Sequence, residues 1–204
     1  MNKSIFLVWI ALTALSGGVY AETLPERCTR ECVENFGEKT GESFTGVPAY
    51  SNCQNACVNP TPNFVSGVYT GIKWQCVEYA RRWLLVNQGV VYGDVDIAAD
   101  IWNLDYVRTP HKENKFEFKG FVNGSMEVLQ RGDLLIYSKE FYGTGHVAVV
   151  LQVDTEQKRV LVGEQNFDNN KWEKQYARAI PYVMHNNGVW LLDSYLIGWK
   201  RVIH

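Results

Sequence analysis

The chain changes its hydrophobic pattern three times. Residues 5–15 are apolar except for Thr13, behind a short start that carries Lys3, and Val19-Tyr20-Ala21 follows them. This is the layout of a secretory signal cleaved after Ala21. A helix over that stretch reaches only about half of a bilayer core, so no stable membrane anchor is expected. From 22 to 66 the periodicity is lost and Gly, Pro, Asn and Glu dominate, with one short helix expected near 25–36 and Asn59-Pro60-Thr61-Pro62-Asn63 closing the segment. From Trp74 the pattern turns helical: Val77, Ala80, Leu84 and Leu85 fall on one face, and Gly89 supplies a stop. A second helix is expected across 95–104. Beyond it, short apolar runs at 133–137, 147–153, 160–164, 179–184 and 196–202 stand between turn residues and read as strands. Helices followed by antiparallel strands predict an α+β domain. The expected organisation is a signal at 1–21, an arm at 22–66 and the main domain at 67–204.

Composition narrows the partners. The 204 residues carry 20 Lys plus Arg against 22 Asp plus Glu, a net charge of -2, with no clustered basic run. No nucleic-acid partner is expected, since phosphate recognition needs such a surface. At 46% hydrophobic the chain is too apolar to stay disordered. No His-Glu-x-x-His or comparable ligand cluster occurs, so no metal or other cofactor is expected.

Four of the five cysteines lie in the arm, as Cys28-x3-Cys32 and Cys53-x3-Cys57. Export to an oxidising compartment favours two disulfides among them. Both 28 to 57 with 32 to 53 and 28 to 53 with 32 to 57 fit the spacing, and a four-thiolate zinc site competes. Cys76 is left over. In the first turn of the expected helix its sulfur sits near unpaired N–H groups and the positive end of the helix dipole, which favours thiolate. A lone cysteine is otherwise most often a buried structural one. A histidine within reach decides between the two.

His111, His185 and His204 fall in a charged loop, in a turn and at the last position. His146 differs: Gly143-Thr144-Gly145 leads into it and the 147–153 strand follows. If the next hairpin turns around 155–157, His146 stands opposite Glu164 or Asn166, on the same face by the two-residue period of strands. A shift of one residue would destroy that pairing. Thiol, imidazole and a carboxylate or amide to orient the imidazole are the ingredients of acyl transfer.

These residues also carry a resemblance. The stretch Gly67-Val-Tyr-Thr-Gly-Ile-Lys-Trp-Gln-Cys76-Val-Glu-Tyr-Ala-Arg-Arg-Trp83, then Arg131-Gly-Asp, Thr144-Gly-His146-Val-Ala-Val149, Glu164-Gln-Asn166 and Ile197-Gly-Trp199, resembles the CHAP amidases, in particular the amidase domain of the glutathionylspermidine synthetase/amidase group. Gly46-Val-Pro-Ala-Tyr-Ser-Asn52 is similar to that domain's opening segment. The resemblance implies a papain-like CHAP fold, a nucleophile helix packed on an antiparallel sheet, here with a disulfide-held arm. It implies Cys76 as nucleophile, His146 as base and then acid, and Glu164 as the group that orients His146. Asn166 would bind or polarise substrate, Arg81 would meet an anionic substrate group, and Gln75 would add a donor to an oxyanion hole formed with the Cys76 N–H. The competing reading of Arg81 is an exposed helix arginine, Glu78 reads as a first-turn charge, and Trp74, Tyr79, Trp83 and Trp102 read as core.

No synthetase domain is expected after His204. The signal-like start therefore points to a secreted or periplasmic enzyme that cleaves an amide of peptidoglycan, in a stem peptide, a crosslink or the muramoyl-L-alanine bond. The alternatives are an amidase for glutathionylspermidine-like γ-glutamyl conjugates and a non-catalytic wall-binding module.

Overall fold

The computed structural model describes residues 23–112 and 114–204, so the signal expected at 1–21 lies outside the described residues. In chain order the elements are β1 (Lys39–Glu42), β2 (Pro48–Tyr50), β3 (Pro62–Val65), β4 (Val68–Ile72), α1 (Cys76–Gln88), β5 (Val91–Tyr92), β6 (Tyr106–Arg108), β7 (Lys115–Val122), β8 (Leu134–Tyr137), β9 (Val147–Asp154), β10 (Arg159–Gly163), β11 (Arg178–His185), β12 (Gly188–Leu191) and β13 (Leu196–Ile203). Nine strands form one antiparallel sheet in the order β12-β11-β10-β9-β8-β13-β7-β6-β5, and β1-β2 and β3-β4 are separate hairpins. The class is α+β, as the pattern predicts.

The helix ends where its sequence says it should. Gly89 adopts the left-handed conformation at φ 69° and returns its N–H to the carbonyl of Leu85. Its start is fixed by contact with β4: a Cβ at Gly71 would lie 2.9 Å from the Cα of Glu78, so only glycine lets the strand come this close. The buried side differs from the expected apolar stripe. Tyr79, Ala80, Trp83 and Leu84 enter the core, while Val77 and Leu85 are only half-buried. Glu78, Arg81 and Arg82 are buried as well, so the first two turns are enclosed on more faces than an amphipathic helix would be. Trp74 and Trp102 are half-buried.

Strand β9 separates two cores. Val147, Val149 and Leu151 meet the helix residues Tyr79, Trp83 and Leu84, while Ala148 and Val150 face Tyr137, Val160, Ile180 and Trp199. The alternation is that of a strand buried on both sides. The sheet then curls on itself: Asn123, just after β7, exchanges two hydrogen bonds with Leu191 in β12, at 2.8 and 3.0 Å.

Two expected helices are replaced by 3₁₀ turns, at Glu26–Cys28 and Ala98–Asn103. In the first case residues 33–37 bond outward, Val33 N–H to Cys53 and Gly37 N–H to Ser51, rather than along a helix. In the second, the Ala99 N–H goes to the carbonyl of Thr144, tying the turn to the loop before β9. The arm itself is integrated. Cys28 is joined to Cys57 and Cys32 to Cys53, which settles the two open pairings in favour of the nested one. Val47 and Ala49 belong to the same core as the helix.

Candidate active site

Cys76 is the first residue of α1, and His146 immediately precedes β9. Gly145 makes the approach to β9 work: at φ 71° its Cβ position lies 2.4 Å from the carbonyl oxygen of Tyr137, which excludes any side chain. Glu164 follows β10. The β9/β10 hairpin begins with Arg159 opposite Asp154, and a bulge then leaves Leu151 unpaired, so that Val162 faces Val150. Past the bulge, even residues pair with even. Just beyond the last paired residues His146 and Glu164 meet, Nε2 to Oε2 at 2.8 Å. The parity expected from sequence is therefore restored by the bulge; without it the register would be the odd one that separates the two side chains.

All three side chains are buried. The sulfur of Cys76 lies beside the imidazole of His146 and near the backbone N–H groups of Val77 and Val147, all of which favour its charged form. Burial by itself pushes the thiol up, but the adjacent His146 charge and these donors outweigh it and hold Cys76 below the ordinary thiol value. Burial likewise pulls His146 down, yet Cys76 and Glu164 raise it to about 9. Burial pushes Glu164 up, and His146 and Arg178 hold it below the usual carboxylate range. The three directions favour the same set of charged forms: thiolate, imidazolium, carboxylate. Tyr137, Phe141 and Phe167 surround the imidazole, with ring centroids 5.5, 6.1 and 5.2 Å away, and keep this charge row in a low-dielectric setting.

Cys76 and His146 open onto a cleft of about 390 Å³. Asn166 lines it too. Its Nδ2 donates to Gln75 Oε1 at 2.9 Å, while its Oδ1 is buried without a hydrogen-bond partner and is an unspent acceptor in the wall of that cleft. Gln75 is committed elsewhere. Its Nε2 donates to the Cys57 carbonyl at 3.2 Å and to Asn52 Oδ1 at 3.4 Å, so the expected oxyanion donation from this side chain is replaced by a link to the disulfide arm. Arg81 is in the cleft wall but is not an exposed helix arginine: it is buried, donates to the carbonyls of Thr70 and Gly93, and pairs with Asp94 at 3.2 Å. Asn55 and Val58, from the loop clipped by Cys53 and Cys57, complete one side.

Glu78 corrects another expectation. It is fully buried and takes both arms of Arg82, Nε at 2.7 and Nη2 at 3.1 Å, together with Thr70, Asn63 and Gln165. It is a packing hub, not a solvated first-turn charge. Sequence reasoning also missed Arg178, Tyr137 and Asp193, which stand behind Glu164. A register argument of the kind that pairs His146 with Glu164 finds Arg178, because β11 pairs with β10 with Arg178 opposite Val162. The strand expected at 179–184 begins one residue too late to include it.

Comparison with known proteins gives the same outline. The family model described as CHAP domain matches residues 67–166. The bifunctional glutathionylspermidine synthetase/amidase of Escherichia coli (strain K12) is 33% identical over 180 residues, covering 80% of this chain and 29% of that protein. Trypanothione synthetase of Crithidia fasciculata is 31% identical over 173 residues, covering 84% of this chain and 26% of that protein. The chain thus spans less than a third of the length of these curated relatives. With Cys76 and His146 inside the matched segment and facing one cleft, residues 67–166 are a CHAP domain.

Proposed function

We propose that the protein is a secreted or periplasmic cysteine amidohydrolase that cleaves an amide bond of peptidoglycan. The observation that carries the hydrolase reading is the row Cys76, His146, Glu164, with its thiol end open to the cleft and its carboxylate end closed. The Cys76 thiolate attacks the substrate carbonyl carbon, and the resulting oxyanion is met by the Cys76 backbone N–H at the helix start. His146, protonated, passes its proton to the leaving amine as the C–N bond breaks, which leaves a thioester on Cys76. Neutral His146 then takes a proton from water, hydroxide adds to the thioester, and the carboxylic acid leaves as the thiolate–imidazolium pair is restored. Glu164 fixes the imidazole and stabilises its charged form, and Asn166 Oδ1 accepts a substrate N–H next to the reacting carbonyl.

The peptidoglycan substrate rests on the two disulfides, which fit an oxidising compartment, and on the signal-like start. Among the described residues no helix is long and apolar enough to cross a membrane. A second reading, turnover of a γ-glutamyl conjugate such as glutathionylspermidine, is favoured by the likeness to the bacterial glutathionylspermidine synthetase/amidase. Mass spectrometry of muropeptides after digestion of sacculi by wild type and Cys76→Ala separates them. New termini made only by the wild type name the bond. No release from sacculi, with rapid turnover of a glutathionylspermidine-like amide, selects the second reading.

A further inference from the structure

Behind the imidazole, away from the cleft, lies a cluster that none of these steps uses. Arg178 Nε donates to Glu164 Oε1 at 2.6 Å, Nη1 to Asp193 Oδ2 at 2.7 Å and Nη2 to the Tyr137 hydroxyl at 2.8 Å. That hydroxyl donates in turn to Asp193 Oδ2 at 2.6 Å. The guanidinium also lies 4.1 Å over the ring of Phe167. Both rings that Arg178 contacts, Tyr137 and Phe167, flank His146. One cation therefore braces the imidazole by three routes: a carboxylate that bonds its Nε2 and two aromatic walls. Arg178 lines a second cavity of about 120 Å³ with Glu164 and Asn166, and it is not among the residues that line the main cleft at Cys76.

We propose that Arg178 is a positioning residue for the Cys76 site, and that with Asp193 and Tyr137 it locks the Glu164 carboxylate so that Oε2 holds His146 facing the thiol. The inference rests on the amidase reading above. The groups facing Glu164 are His146 from the start of β9, Arg178 from β11, and the hydroxyls of Tyr79 in α1 and Tyr137 in β8; Arg178 also faces Asp193. Without Arg178, His146 is the one cation left in that set against a fully buried carboxyl, which then takes up a proton at higher pH. Protonated Glu164 no longer stabilises the imidazolium, and the thiolate is lost with it.

The test is the pH dependence of iodoacetamide alkylation of Cys76, run beside turnover, for wild type, Arg178→Gln, Arg178→Lys and Tyr137→Phe. Arg178→Gln is expected to move the acid limb of alkylation up by about one to two pH units. Its kcat falls by about ten- to a hundredfold, as when an outer partner of a working side chain is removed, with KM unchanged. Arg178→Lys restores most of the acid limb because it restores the charge. Should Arg178→Gln fail to fold, Tyr137→Phe, which removes one acceptor and leaves the charge, is expected to lower kcat at unchanged KM with a smaller limb shift. Acid limbs and kcat that coincide with wild type, alongside lowered melting temperatures, would overturn the proposal and leave Arg178 a structural ion-pair residue. Alkylation needs no substrate, so a wild type that hydrolyses no amide sinks the amidase reading while the Arg178 comparison still reads out.

Discussion

Glu78 and Glu164 are both buried carboxylates that meet an arginine within hydrogen-bond distance, yet they serve different ends. Glu78 spends both oxygens on the guanidinium, hydroxyl and amide donors of Arg82, Thr70, Asn63 and Gln165. Glu164 takes Arg178 on both oxygens, Nε on Oε1 at 2.6 Å and Nη2 on Oε2 at 3.5 Å, and its closest contact on Oε2 is the imidazole at 2.8 Å. The first cluster joins α1 to β3, β4 and the segment after β10, and the second ends at the cleft. Neighbouring residues feed the two, since Glu164 turns to His146 while Gln165 turns to Glu78 and Arg82. Alternation along an extended chain sends successive side chains to opposite sides, so one short segment ties packing and chemistry together. A buried carboxylate becomes functional through the proton-carrying partner it is left with, not through its burial or its arginine.

The difference can be broken by substitution. Glu78→Ala leaves Arg82 buried without its carboxylate and is expected to cost about 3 to 5 kcal/mol of stability in urea unfolding. Cys76 alkylation per folded molecule should stay at the wild-type rate; a parallel loss of reactivity would mean the two clusters are one. Glu164→Gln is the converse. It keeps the shape and removes the charge, and kcat should drop by about a hundredfold, equivalent to about 2.7 kcal/mol of barrier, with a much smaller change in the urea midpoint.

Titration sharpens the same contrast. Cys76 lies below and His146 above its ordinary value, so the reactive pair exists from the lowered thiol pKa up to about 9. Wild-type Cys76 should alkylate at about pH 6 to 7 nearly as fast as at its unperturbed thiol value. Turnover should fall above about pH 9, where His146 has lost the proton it hands to the leaving amine. In His146→Ala burial is opposed only by the backbone N–H groups of Val77 and Val147, and alkylation should require alkaline pH. The smallest effect belongs to Thr70→Val. It removes a 2.9 Å hydrogen bond to Glu78 and should cost about 1 kcal/mol, with no change in the alkylation profile.

The local features of this molecule were legible in its sequence. The stop at Gly89 and the strands from β8 to β13 other than β12 follow from periodicity and turn residues; hairpin parity leaves Glu164 and Asn166 both open as neighbours of His146, and only the family resemblance chooses Glu164. Long-range features were not. β13 inserts between β8 and β7, and the β5 to β7 side of the sheet carries too many polar residues to announce itself as strand. The helix was misread for a related reason. Its Glu78, Arg81 and Arg82 look like a solvent face until partners from β3, β4, the β5 loop and the segment after β10 enclose them. Arg178 was missed because its meaning depends on Asp193 and Tyr137, which reach it from other strands and loops.

The nesting of the two disulfides makes them duplicates of one another. Cys28–Cys57 closes a span of 29 residues, and Cys32–Cys53 closes one of 21 inside it. Whichever forms first confines the unfolded chain by about 3 to 4 kcal/mol. Once the outer bond exists, the inner ring runs only through the two short Cys-x3-Cys connectors, so the second closure adds far less. The Cys57 carbonyl, which accepts from Gln75 Nε2 and Asn52 Nδ2, stays on, or four residues from, a covalently closed loop while either bond remains. The cleft wall is thus fastened with a spare, and tolerance of a single broken link is built into the order in which four cysteines are paired.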